Sequence, residues 1–187
     1  MPWETVSSGK QDKTLTVKFS AKLPLVQEIL TRTIRMVDGE NVVYVESELE
    51  NLLPFDRPVN WAEHATIGSP FLQAGKTVID MSASRAQTRP YEPRERPGLV
   101  HRLPSAQDFT WPLAPGLSGQ TLDLRAAPTA LGFGDHTTCL MDPTRRLVWV
   151  TALHPGQRLL LGYVFRREDF PWTQNWENYP LDRKSVV

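Results

Sequence analysis

The strongest constraint on the fold is a hairpin pattern between residues 30 and 50. Apolar and polar side chains alternate on both sides of Asp38-Gly39. Alternation with a period of two residues is typical of a half-buried β-strand. Asp and Gly both tolerate the positive φ angles of a tight hairpin turn. The sequence therefore predicts a strand ending at Met36, a tight turn, and a return strand over residues 41–50.

Strand signals recur along the chain, whereas no window repeats apolar residues at the i, i+3, i+4 and i+7 spacing of a helix. Further strands are predicted over residues 14–19, 77–81, 137–141, 147–151 and 159–165. Seven prolines make residues 85–128 mostly irregular, with short strands at best. Many short strands separated by turn residues indicate an all-β antiparallel sandwich or barrel.

Composition excludes several classes of function. Lys plus Arg and Asp plus Glu number 21 each, so the chain has no basic surplus for nucleic acid or for an anionic membrane surface. The longest apolar stretch, residues 159–165, is far shorter than the roughly 20 residues that span a bilayer. Cys139 is the single cysteine, which excludes an internal disulfide and is compatible with a reducing compartment such as the cytoplasm.

The residues best suited to catalysis or ligand binding lie in one loop, where Trp61, Glu63 and His64 are followed by Gly68. Imidazole gives or takes a proton near neutral pH, which suits general acid–base catalysis. A histidine bonded to a backbone carbonyl at a strand end is the structural alternative for His64.

A resemblance to the aldose 1-epimerases (galactose mutarotases) covers most of the chain, from about Leu15 to Pro180. It begins with a strand ending in Glu50-Asn51-Leu52, a proline-containing loop, His64 and Phe71-Leu72. In that family the equivalent loop carries an Asn-His-Ser-Tyr-Phe-Asn-Leu motif. The resemblance implies that His64 is the catalytic acid, which protonates the ring oxygen and opens the sugar.

Two later segments resemble the same family. The run from Gly132 to Leu140 is similar to an Asp-His element that enters a strand after a long loop, which implies that Asp135 binds sugar hydroxyls. The ring of Trp172 or Trp176 would stack on the C–H face of a pyranose. Trp61, Trp176 and Glu177 are accordingly predicted as substrate contacts beside Asp135. The ligand implied is a small-molecule sugar, with no metal or organic cofactor.

The fold implied is an antiparallel β-supersandwich, which is larger than this chain. We therefore expect residues 1–187 to form a single partial domain, incomplete at both ends. The family's first histidine is expected upstream of Met1 and its catalytic glutamate downstream of Val187. Residues 182–187 match the translation of a common sequencing-adapter string, so we expect them to be a non-native tail.

Two alternatives remain open at this point. The first is a non-catalytic carbohydrate-binding module on the same scaffold, because a fold alone does not establish chemistry. The second is a cupin-like metal protein that uses Glu63, His64, His136 or His154 as ligands on β-strands.

Overall fold

The computed structural model describes residues 2–91, 100–130 and 132–179, and this part of the chain is built from β-strands. Thirteen strands are present in it, and every pairing between them is antiparallel. The predicted all-β antiparallel fold is confirmed. The strands are Glu4–Gln11 (β1), Thr14–Leu23 (β2), Glu28–Val37 (β3), Val43–Asn51 (β4), Val78–Met81 (β5), Ala83–Thr88 (β6), Asp108–Thr110 (β7), Leu113–Pro115 (β8), Thr121–Asp123 (β9), Phe133–Met141 (β10), Leu147–His154 (β11), Leu159–Arg166 (β12) and Trp172–Tyr179 (β13).

The chain divides into two compact units, residues 1–61 and 62–187. The first unit is a four-stranded meander in the order β1-β2-β3-β4. Its best-predicted part is the β3–β4 hairpin, in which Ile34 pairs with Val45 and Leu30 with Leu49. The alternation in the sequence placed these pairs on one face, as the register requires.

The turn of this hairpin differs from the prediction. The tight turn at Asp38-Gly39 is in fact a five-residue loop over residues 38–42, and the return strand begins at Val43 rather than at Asn41. Gly39 has a φ angle of +90°, and the Glu40 N–H donates to the Val37 carbonyl at 3.0 Å. A positive φ is therefore still required, but longer hairpin loops meet it as readily as two-residue turns do.

The second unit contains two sheets that share one core. A six-stranded sheet has the order β13-β10-β6-β7-β8-β9, and a three-stranded sheet has the order β12-β11-β5. Met81 and Val148 of the smaller sheet pack in one buried cluster with Ala86, Cys139 and Met141 of the larger sheet. Side chains from two facing sheets that interdigitate in this way form the interior of a β-sandwich.

The proline-rich segment follows the prediction only in part. Strands β7, β8 and β9 have three residues each, as expected for a mostly irregular region. Strand β6, however, was not predicted, and its last four residues lie within the stretch that was expected to be mostly irregular. It persists because β10 and β7 pair with its two edges and supply the ladder hydrogen bonds.

Strands β1 and β13 were not predicted. All eight residues of β1 are exposed, and β13 has aromatic residues only at positions 172, 176 and 179, so neither strand shows an apolar period of two. The predicted single partial domain stays a prediction, and the expected tail at residues 182–187 lies outside the described residues.

The Cys139 thiol yields a pH prediction. Cys139 is fully buried, and burial raises the pKa of its thiol to about 11. Because the folded state keeps this proton longer than the unfolded state, stability present below the unfolded pKa is lost as pH rises. We therefore compare the free energy of unfolding of the unmodified protein with that of Cys139→Ala. Between about pH 8 and about pH 10.5, the unmodified protein should lose about 2 kcal/mol relative to the variant. Urea unfolding of both proteins measures this, and a constant difference would contradict it.

Candidate functional site

The predicted site residues on β10 and β13 lie on two different faces of one sheet. Asp135 pairs directly with Glu177, and the next residues, His136 and Trp176, pair with each other. Directly paired residues share a face, and successive residues point to opposite faces. Asp135 and Glu177 therefore lie together on the buried face, whereas Trp176 lies on the exposed face. These three residues do not line one pocket.

On the buried face, Asp135 is engaged by the protein itself. The side chain is 1% exposed. Its Oδ1 accepts hydrogen bonds from the backbone N–H groups of Arg102 at 2.9 Å and Leu103 at 3.3 Å, and its Oδ2 accepts from Arg102 Nε at 2.6 Å. A sugar hydroxyl would have to displace one of these donors in order to reach the carboxylate.

The same guanidinium holds Glu177. Arg102 Nη2 lies 2.6 Å from Glu177 Oε2, and Asn175 Nδ2 donates to Glu177 Oε1 at 3.2 Å. The guanidinium also lies over the ring of Phe133, with 3.9 Å from its carbon to the ring centroid. The result is a buried ion-pair cluster of one arginine and two carboxylates.

Burial and charge act in opposite directions on the pKa values of this cluster. Burial raises the pKa of Glu177 although the charge of Arg102 acts in the opposite direction. Burial alone would lower the pKa of Arg102, but the hydrogen bond to Asp135 and the charge of Glu177 outweigh it and the pKa is raised. In such a network each charge is paired within the protein. Removal of one partner of a buried ion pair strongly destabilises the folded protein, because the remaining charge is uncompensated.

The segment that supplies Arg102 is held against β10. Val100 forms an isolated parallel bridge with Phe133, and the ring of His101 stacks on Tyr91 with centroids 3.6 Å apart. His101 Nδ1 lies 2.6 Å from the Gly134 carbonyl, and because a carbonyl only accepts, Nδ1 carries the proton. The sequence indicated no role for His101 or Arg102, since nothing in a proline-rich stretch marks a long-range ion pair.

The exposed side of the same sheet carries a different set of residues. Trp172 and Trp176 are 50% and 52% exposed, and both project from this side of β13 with Gln174 between them. Paired positions on the neighbouring strands share this side, which we call the open face. Its members are Arg85, Gln87, Asp108, Thr110, His136, Thr138, Leu140, Trp172, Gln174 and Trp176.

The open face is ordered in rows that cross the strands. His136 pairs with Trp176, and Thr138 pairs with Gln174 on one side and Gln87 on the other. Gln87 continues the row to Asp108, whose Oδ1 accepts a hydrogen bond from Gln87 Nε2 at 2.9 Å. Polar groups thus lie between and beside two exposed tryptophan rings.

His64, the predicted acid, is exposed in a segment without regular structure. No hydrogen bond to its ring is present among residues 2–91, 100–130 and 132–179. Trp61 is half-buried and falls in the first unit, whereas His64 falls in the second. The roles predicted for both residues stay predictions.

His154 is almost fully buried and has a structural environment. Its Nδ1 accepts from the Gln157 N–H at 3.1 Å, which caps the 3₁₀ turn Pro155–Gln157, and its Nε2 lies 2.9 Å from Gln73 Oε1. Both ring nitrogens are therefore used within the protein. Across the part of the chain that the structure describes, no three His, Cys, Asp or Glu side chains are grouped to hold a metal ion.

No described helix is long and apolar enough to cross a membrane. Comparison of the chain with protein-family models, with curated proteins and with solved structures finds no match. The aldose 1-epimerase resemblance consequently stays a prediction that depends on the quoted motifs.

Proposed function

We propose that this protein binds carbohydrate, and that the sugar lies on the open face across β6, β10 and β13. The observation that carries the proposal is the pair of tryptophans on β13. Two half-exposed indole rings on one face leave a large apolar surface in water, unless a ligand covers it. A pyranose fits such a surface, because its C–H face is apolar and its hydroxyl rim is polar.

The surroundings of the tryptophans suit the polar rim of a sugar. Gln87, Thr138 and Gln174 form one row, and their amides and hydroxyl offer both donors and acceptors. His136 lies next to Trp176 on the neighbouring strand. A ligand site of this kind combines an apolar platform with a few placed polar groups.

The spacing of the two rings favours an oligosaccharide. Trp172 and Trp176 are four residues apart on one strand, which is about 13 Å at the usual rise of a β-strand. This length exceeds a single pyranose ring. We therefore expect affinity to increase from a monosaccharide to a short chain that contacts both tryptophans.

Binding without turnover is the form of this function that the geometry favours. Anomer interconversion needs an acid and a base on the same sugar. The Asp135 carboxylate is closed off by Arg102, and the His64 ring has no partner that would orient it among the described residues. Aldose 1-epimerase activity is the second candidate, and it depends on the resemblance around His64.

Alanine at either tryptophan tests the proposal. Trp172→Ala and Trp176→Ala should each weaken binding of a recognised oligosaccharide by about 1–2 kcal/mol, roughly 5- to 30-fold in Kd. Glycan-array screening identifies the ligand, and titration calorimetry measures the change. Because both side chains are half-exposed, the unfolding midpoint should change little.

Trp3→Ala is the matched control, since Trp3 is 47% exposed and belongs to the first unit. Its affinity should equal that of the unmodified protein. Equal losses in all three variants, or no glycan bound at any concentration tested, would refute binding on the open face. Acceleration of mutarotation that His64→Ala removes would instead support the epimerase.

A further inference from the structure

Arg85 is the distinctive charge of the open face. It is exposed on β6 and pairs in register with Thr110 of β7. Among the described residues no carboxylate forms an ion pair with it and no side chain bonds to its guanidinium. In the same unit Arg102, Arg125 and Arg166 each have carboxylate partners within 3.3 Å. Arg146, Arg158 and Arg167 have no ion pair among the described residues, so what sets Arg85 apart is its position on the open face.

The carboxylate on this face does not neutralise Arg85. Asp108 lies in the next row, where its Oδ1 accepts a hydrogen bond from Gln87 Nε2 at 2.9 Å. The amide of Gln87 is thus the side-chain partner of Asp108 on this face. The five N–H donors of Arg85 remain available to a ligand.

A β-bulge aims Arg85. On β10, Cys139 pairs with Ala86 and Met141 with Ala83, so Ser84 and Arg85 together oppose the single residue Leu140. Bulges of this kind redirect a side chain and are frequent beside functional sites. The bulge lies in the row that ends at Trp172, because Leu140 pairs with Trp172 on its other side.

The distance between these groups suits one extended ligand. Arg85 and Trp172 are separated by two strand spacings, about 10 Å across the sheet. Half-buried Leu140 lies between them, and the neighbouring row of Gln87, Thr138 and Gln174 provides neutral hydrogen-bonding groups. A sugar ring on Trp172 would thus place its neighbour, or its own acidic substituent, towards the guanidinium.

We infer that the ligand of the open face is an acidic oligosaccharide, in which the carboxylate of a uronic acid binds Arg85. This inference rests on the proposed carbohydrate binding and specifies its substrate class. The planar guanidinium matches a carboxylate in a two-bond, fork-to-fork geometry. A neutral sugar offers this charge hydroxyl groups but no ionic partner.

The test compares oligosaccharides of galacturonate, glucuronate and mannuronate with the same chains after carboxyl reduction to the neutral sugars. At least one acidic chain should bind about tenfold more tightly than its reduced form, the usual scale of a charge-assisted hydrogen bond. Arg85→Met should remove this preference, because the acidic chain should lose more affinity than the reduced chain. The preference should also weaken with added salt, because the site is exposed.

Arg125→Met is the matched control, since Arg125 is an exposed arginine of the same unit that is already paired with Asp123 at 2.6 Å. It should keep the full preference. Equal binding of acidic and reduced chains, or a preference that survives Arg85→Met, would overturn the inference but leave carbohydrate binding intact. Failure of every acidic and every neutral chain to bind would overturn both.

Discussion

Arg102→Met is expected to lower the free energy of unfolding by about 3–5 kcal/mol. The substitution keeps an apolar side chain over Phe133 but removes the donor groups that bond Asp135 and Glu177. Two buried carboxylates are then left without a counter-charge, and the desolvation of each is no longer compensated. Urea unfolding followed by tryptophan fluorescence measures the loss.

The exposed ion pair between Arg125 and Asp123 is the control for this variant. It shows whether the loss in free energy of unfolding depends on the burial of the ion pair or on its short N–O distance. The shortest N–O distance is 2.6 Å both between Arg102 and Asp135 and between Arg125 and Asp123. The side chains of Arg125 and Asp123, however, are each about 40% exposed. Arg125→Met should therefore cost less than about 1 kcal/mol. Losses of similar size in the two variants would show that burial is not the source of the effect.

A further variant identifies the mechanism. When Asp135→Asn and Glu177→Gln are added to Arg102→Met, the buried charges are gone and part of the stability should return. A combined variant that is less stable than Arg102→Met alone would mean that the cluster stabilises the fold through packing and hydrogen bonds instead. If Arg102→Met is largely unfolded at room temperature, the expected recovery of stability would still appear as a larger folded fraction in the combined variant.

Leu103→Ala is expected to cost about 2–5 kcal/mol, the range for truncation of a fully buried leucine. Leu103 is inaccessible to solvent and packs in the cluster that contains Trp111 and Met141. Its side chain fastens the segment that carries Arg102, so the variant should also increase exchange of the amide hydrogens that bond Asp135. Hydrogen exchange with mass spectrometry reads both effects.

Leu117→Ala is the control for this variant. Leu117 is 61% exposed, although its backbone N–H donates to the Arg102 carbonyl at 2.9 Å. The substitution should change the free energy of unfolding by no more than about 0.5 kcal/mol. If Leu117→Ala lowered the free energy of unfolding as much as Leu103→Ala does, the conclusion that Leu103 but not Leu117 packs in the core would be wrong.

Residues with a strong apolar alternation were predictable from sequence, and the β3–β4 hairpin is the clearest case. Strand β13 was missed because its large residues, Trp172 and Trp176, lie on the exposed side, so the usual relation between apolarity and burial is reversed. Once β13 is recognised as a strand, the adjacent positions of Trp176 and Glu177 place them on opposite faces.

The ion-pair cluster was not predictable by any local pattern. Arg102 lies 33 residues before Asp135 and 75 residues before Glu177 in the sequence, within a proline-rich stretch. Only the pairing of β10 with β13 brings the two carboxylates side by side. The sequence predicted Asp135 and Glu177 as substrate contacts, and these roles stay predictions. Arg102, the residue that bonds both carboxylates, could be identified only from the fold.

Strand β13 is an edge of its sheet. An edge strand is paired on one side only, so its backbone and side chains are ordinarily more mobile than those of a central strand. Here Arg102 forms an ion pair with Glu177 on the buried face of the sheet. Glu177 directly follows Trp176, whose ring is exposed on the opposite face. This anchor restricts the motion of the Trp176 ring, and the sugar proposed to bind there would lose less entropy by ordering it. If carbohydrate binds the open face as proposed, loosening Glu177 should therefore raise the entropic penalty of binding, although Glu177 lies on the buried face of the sheet.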